Sequence, residues 1–219
     1  ASKDGFRYVW YLDAQRIVRD NLDLFFDNAR QCFWIVTSQG LHQYDLRTNR
    51  IKKTSIVETY RPFEIITDSE NNIVVAASEG AYVYNPATNQ YKFYEVDKSQ
   101  NEHFVCAFRD KLGQIWMGRN GQGLANLDSR TGKVLHYLPP TSQDDYLMIK
   151  NISTFPHITG EDILWLATET QGLLFFNVRT RQFIGQHQQS KWLPQGILSN
   201  DINKLYGSRE GIVWIADKA

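Results

Sequence analysis

The chain has 219 residues, 42% of them hydrophobic and 22% charged, the proportions of an ordinary folded protein rather than a disordered one. Its 24 basic and 24 acidic residues cancel, so no overall field draws in nucleic acid. No apolar run reaches the roughly 20 residues that a membrane-spanning helix takes.

Taken in chain order, the sequence is a series of similar segments. After an opening piece, residues 1–20, come FWIVTSQGLHQYDLRTNRI from Phe33, NIVVAASEGAYVYNPATNQY from Asn72, IWMGRNGQGLANLDSRTGKV from Ile115 and LWLATETQGLLFFNVRTRQF from Leu164, and GIVWIADKA opens a fifth copy. Each reads as a short apolar strand, a polar loop closed by Gly, a second apolar strand, Asp or Asn, a turn containing Thr, and a further strand. Trp34, Val74, Trp116, Trp165 and Trp214 mark one column of the repeat, and Gly40, Gly80, Gly123 and Gly172 mark another. An upstream run such as Phe104 to Phe108, followed by the tight turn Arg109 to Gly113, adds one more strand to each copy.

Four strands per copy, repeated every 40 to 49 residues, predict an all-β chain: a β-propeller of four-stranded antiparallel blades. The 13% of aromatic residues suits it. The expected organisation is a partial blade at 1–20, blades at about 21–58, 59–98, 99–140 and 141–190, and a partial blade at 191–219. With both ends in mid-blade, residues 1–20 either complete the last blade in a five-bladed ring or the chain is a slice of a larger propeller; the slice is the reading adopted here.

Gly at the loop ends is expected to supply positive φ, and Asp45, Asn85, Asp128 and Asn177 to bond nearby backbone amides in the turns. The recurring tryptophans are expected to pack between neighbouring blades. Trp10 and Trp192 break the repeat and read either as platforms for a sugar ring or as packing over a blade edge. Cys32 and Cys106 lie in apolar stretches and are expected to be buried free thiols.

Chemistry is hard to find. There is no GxSxG, HExxH, phosphate-binding Walker loop or paired CxxC, and the five histidines, at 42, 103, 136, 157 and 187, have no ligand spacing. No catalytic residue, metal ligand or cofactor is therefore assigned. What remains is recognition by variable loops on a rigid scaffold. The loops between second and third strands and the linkers into the next blade should share one face. They bring the candidates Arg61, His103, Arg119, Asn120, Gln122, Glu169, Gln171 and Asp217, with Tyr60, Glu102, Tyr146, Lys150, Asn200 and Asp201 among the linker residues. Arg61 and Arg119 are the expected anchors for an acidic sugar or a partner's carboxylate, because a guanidinium offers a planar fork of donors.

The pattern W-[IL]-[GA]-T-x-x-G-L-x-x-[YF]-[DN]-x-x-T, together with LSNDINKLYGSREGIVWIA at Leu198 to Ala216, resembles the two-component regulator propeller repeat. Val74, Ala81 and the enlarged turn at His157 to Asp162 depart from it. The resemblance implies a propeller of roughly seven blades in the periplasmic sensor region of a Bacteroides-type hybrid two-component system. It further implies a receptor that recognises an oligosaccharide and is anchored by its parent in the inner membrane. Expected partners are that ligand, other domains of the parent and a second copy of the chain. A protein-interaction scaffold of a secretion complex and a propeller lyase of the streptogramin type are the alternatives.

Overall fold

The computed structural model describes residues 23–59, 61–96, 103–140, 146–160, 162–190, 196–208 and 212–218. The opening partial blade, Trp10, Trp192, Tyr60 and Glu102 lie outside the described residues.

Four antiparallel four-stranded sheets follow one another along the chain. The first contains β1 (Asp23–Asp27), β2 (Cys32–Thr37), β3 (Gly40–Asp45) and β4 (Arg50–Lys53), and the second β5 (Pro62–Thr67), β6 (Ile73–Ala77), β7 (Gly80–Asn85) and β8 (Gln90–Glu95). The third contains β9 (Phe104–Arg109), β10 (Ile115–Arg119), β11 (Leu124–Leu127) and β12 (Val134–Tyr137), and the fourth β13 (Ile149–Thr154), β14 (Ile163–Thr168), β15 (Leu173–Asn177) and β16 (Gln182–His187). A two-stranded sheet, β17 (Ile202–Gly207) with β18 (Val213–Asp217), begins a fifth. The inner strands pack in succession, β1 on β5, β5 on β9, β9 on β13 and β13 on β17, so the sheets are propeller blades arranged around a channel.

The apolar core is divided accordingly, with one slab of side chains at each junction between blades. Trp34, Val36, Ile65, Val75 and Tyr84 fill the first, and Val74, Ala76, Ala81, Phe104 and Met117 the second. Trp116, Leu124, Ile149, Leu166 and Phe176 fill the third, and Phe155, Trp165, Ile202 and Leu205 the fourth. Strands alternate their side chains between the two faces, and a blade is covered on both faces. That is why central strands such as β6, with all five residues buried, read as unbroken apolar runs. The outer strand β8 has one blade edge to itself and is almost wholly exposed.

Trp34, Trp116 and Trp165 are buried at their junctions, as the column predicts. Trp214 is 62% exposed, because its face of the fifth blade is turned away from the fourth and no described blade lies over it. The indole N–H of Trp34 donates to Asp27 (3.1 Å) and that of Trp116 to Asp110 (2.8 Å), each an aspartate that also caps the first hairpin of its blade. In the second blade Val74 has no such donor, and the matching Asp68 Oδ2 instead accepts the Ser129 hydroxyl from the third blade (3.0 Å). In the fourth, the enlarged turn winds into the short helix α1 (Pro156–Thr159), and Thr159 Oγ1 accepts the Trp165 N–H at 2.8 Å.

The expected turn chemistry is present. Asp45, Asn85, Asp128 and Asn177 each accept two backbone N–H groups from the turn that follows them. Both cysteines are buried and free.

Candidate functional site

The second-to-third-strand loops and the incoming linkers meet on one face, as main-chain bonds show. Thr59 N–H donates to Ser38 O (3.3 Å), Gly123 N–H to Leu147 O (2.8 Å) and Gly172 N–H to Asn200 O (2.9 Å). In each case a linker is stitched to the loop of the blade it has just left.

The junction between the third and fourth blades is the most elaborated. Tyr146, in the linker, stands over the loop of the third blade and is 45% exposed. Its hydroxyl donates toward Asn120 Oδ1 at 2.7 Å and toward Glu169 Oε2 at 3.2 Å, with Met148 Sδ at 3.7 Å. Asn120 belongs to the third blade and Glu169 to the fourth, so one phenol spans two blades. The loop is shaped to receive it. Gly121 has φ 83°, and a Cβ there would lie 2.9 Å from the tyrosine ring, so the close seat requires glycine. Leu147 N–H donates to Gly121 O (3.0 Å), fixing the linker beside the loop. Burial, and next the charge of Glu169, hold the Tyr146 hydroxyl above its ordinary pKa, so it stays a donor.

His103 joins the same network. Its Nδ1–H donates to Ser78 O in the second blade (2.9 Å), and its carbonyl accepts the Asn120 N–H (2.9 Å). Tyr146 thus links Asn120 to Glu169, His103 joins Asn120 through the main chain, and Gln122 forms a β-bridge with Leu147.

The other candidates are placed apart. Arg61 is exposed at the start of the second blade, its carbonyl bonded to Ser78 N–H at 3.2 Å. Gln171 turns its carbonyl to Gln186 at the blade's outer strand (2.8 Å), and Asp217 Oδ2 accepts the N–H groups of Leu198 and Ser199, both at 3.1 Å. The expectation that Arg119 offers its guanidinium on the open face is corrected: the residue is 2% exposed and donates to His136 Nδ1 on the outer strand of its own blade, at 2.7 Å. It ends β10 with its side chain enclosed, so the fork does not open on the face.

A second polar group lies in the channel and was not foreseen. Asp23, Glu64, Cys106, Asn151 and Lys204 occupy one column of the inner strands, opposite Val36, Ala76, Gly118, Ala167 and Ala216. Asp23 accepts Ile65 N–H (2.7 Å), Glu64 accepts Ala107 N–H (2.9 Å) and Asn151 accepts Leu205 N–H (3.0 Å), each reaching the next blade. Lys204 reaches from the fifth blade to Glu64 of the second, 3.4 Å away across the channel. Burial raises the pKa of Asp23, of Glu64 and, most of all, of Cys106. The signal in the sequence was a polar or thiol side chain recurring at one register of the inner strands. Among the described residues no three His, Cys, Asp or Glu side chains converge as a metal site.

By sequence, no family model and no curated relative matches the chain. Solved structures do. The extracellular domain of the putative hybrid two-component system BT4673 from B. thetaiotaomicron is similar over 91% of this chain and 26% of its own, with 17% identity and a TM-score of 0.72. PorZ, a surface component of the type-IX secretion system of Porphyromonas gingivalis, is similar over 89% of this chain and 30% of its own (15% identity, TM-score 0.65). Virginiamycin B lyase from Staphylococcus aureus is similar over 89% and 62% (11% identity, TM-score 0.67). The chain spans about a quarter of the length of the BT4673 domain. These likenesses show the propeller fold, which sensors, secretion components and lyases share.

Proposed function

We propose that the chain is the ligand-recognising part of an extracytoplasmic sensor of the two-component type, that it works in the periplasm, and that its ligand is an oligosaccharide. In this reading the segment binds and performs no chemistry. The observation that carries it is Tyr146: a half-exposed aromatic ring fixed over a glycine, with polar side chains from two blades at its edge. Sugar sites combine these two elements, a flat apolar surface for the ring C–H face and polar groups at its rim for the hydroxyls. The similarity to extracellular domains of two-component systems supports the setting. Because the site bridges two blades, a ligand seated there adds contacts across a junction, a route by which occupancy reaches the rest of a receptor.

The test is calorimetric titration of the purified protein with neutral and acidic tetrasaccharides, comparing wild type with Tyr146→Ala. Binding of at least one probe, weakened about tenfold or more by the substitution, is expected for a lost stacking surface. Binding that ignores Tyr146→Ala would remove the site, and no binding by any probe would remove the reading.

A further inference from the structure

We infer that the Tyr146 site selects an uncharged, hydroxyl-bearing ligand and discriminates against acidic ones; this rests on the proposed receptor function and names the chemical class of its ligand. The argument is a count of protons. A phenol has one O–H to give, and three acceptors surround it: Asn120 Oδ1 at 2.7 Å, Glu169 Oε2 at 3.2 Å and Met148 Sδ at 3.7 Å. Only one can be served well at a time, so the rim keeps free acceptor capacity beside the Asn120 amide N–H groups. Glu169 also brings a negative charge to that rim. A ligand hydroxyl donates as well as accepts and matches such a rim, whereas a carboxylate or sulfate only accepts and meets like charge.

The basic side chains that adjoin the site in sequence or through a main-chain bond are engaged elsewhere. Arg119, adjacent to Asn120 in sequence, is enclosed and bonded to His136. Lys150, four residues beyond Tyr146, is turned into the fifth blade, where it pairs with Asp201 and bonds Asn203 at 2.9 Å. The His103 ring is directed at the carbonyl of Ser78 in the second blade. The main chain of the site is also spent: Asn120 N–H on His103 O (2.9 Å), Glu169 N–H on Met148 O (3.1 Å) and Leu147 N–H on Gly121 O (3.0 Å). No anion cradle of backbone amides is left at these three positions. The structure thus offers an aromatic platform with acceptors around it.

The experiment titrates the purified protein with four neutral probes, maltotetraose, cellotetraose, xylotetraose and arabinotetraose, and two acidic ones, tetragalacturonate and a chondroitin tetrasaccharide. Wild type is compared with Tyr146→Phe, which keeps the ring and removes the hydroxyl, and with Glu169→Gln, which removes the charge and adds a donor. A neutral probe is expected to bind at least about tenfold more tightly than either acidic one, a difference of about 1.4 kcal/mol. Tyr146→Phe should weaken that probe severalfold, and Glu169→Gln should narrow the gap to the acidic probes. Both side chains are partly exposed, so the fold survives either change. Tighter binding of an acidic probe, still sensitive to Tyr146→Phe, would overturn the selectivity while leaving the receptor reading in place. Neutral binding indifferent to both variants would overturn the site. Silence from every probe would overturn the receptor reading, and this inference with it.

Discussion

The second and third junctions between blades solve the same packing problem with different volumes. At the third, Trp116 is fully buried, meets Phe176 edge-on at 5.3 Å between ring centroids, and lies under the Arg181 guanidinium at 5.1 Å. At the second, Val74 stands in the same column, and the slab is completed by Ala76, Ala81 and Met117. What both junctions keep is the aspartate at the end of the inner strand. Asp110 binds the indole, and Asp68, deprived of one, binds Ser129 across the junction. The aspartate holds the hairpin, and the column residue sets only how much volume the junction holds. A repeat can therefore lose its most recognisable side chain and retain its period.

Truncation at the two positions should separate these roles. Trp116→Ala removes the ring contacts, the cation–π partner and the indole N–H together, and is expected to cost about 3–5 kcal/mol in denaturant unfolding. Val74→Ala is expected to cost roughly 2 kcal/mol, the transfer of two methyl groups with a small cavity. Equal losses would end the comparison. A sharper version restores the repeat's own preference: Val74→Trp should destabilise by about 1–3 kcal/mol, because a fully buried valine is replaced by a far larger side chain. If it stabilised instead, the second junction would be underfilled and not differently filled.

Arg181 is next in size. From a turn of the fourth blade its guanidinium bonds Gln114 (2.6 Å), Tyr137 OH (3.0 Å) and Asn126 (3.1 Å) of the third, so three bonds and a stacked face cross one junction. Arg181→Lys keeps the charge and loses the planar fork, for an expected cost of about 1–2 kcal/mol. A midpoint unmoved in urea would mean that the stack is incidental.

The repeat made the fold legible, since strands, turns and junction residues recur in aligned columns. The same columns could have corrected the site. Arg119 and Asp217 share theirs with Thr37, Ala77 and Thr168, all enclosed at 1% exposure or less, and small residues in three copies of one column mark a position with little room outside. Asn120 and Glu169 share theirs with Ser38 and Lys218, which are exposed, and with Ser78, which is buried, so this column opens on the face in four of its five copies. Tyr146 gave no such signal. Its partners lie 26 and 23 residues away, and although the passage of a linker over a loop recurs, a tyrosine bonded to the loops of two blades is particular to this linker among the described residues.

The smallest effect belongs to the channel, where the inner-strand column does for the blades' inner edges what the tryptophan column does for their faces. Burial raises the Glu64 pKa in the folded chain, with Lys204 only partly opposing it. The native state therefore holds a proton that the unfolded chain has already released. Across the window from the ordinary carboxylate range up to the raised value, folding stability should fall as pH rises and recover on acidification, the reverse of a carboxylate held by a strong ion pair. Glu64→Gln keeps an oxygen for Ala107 N–H and discards the charge, so the difference in stability between wild type and variant isolates this one group from every other carboxylate. That difference should shift in the variant's favour between mildly acidic and neutral pH. A difference that stays flat would mean that the bond from Lys204 across the channel fully offsets the desolvation of Glu64.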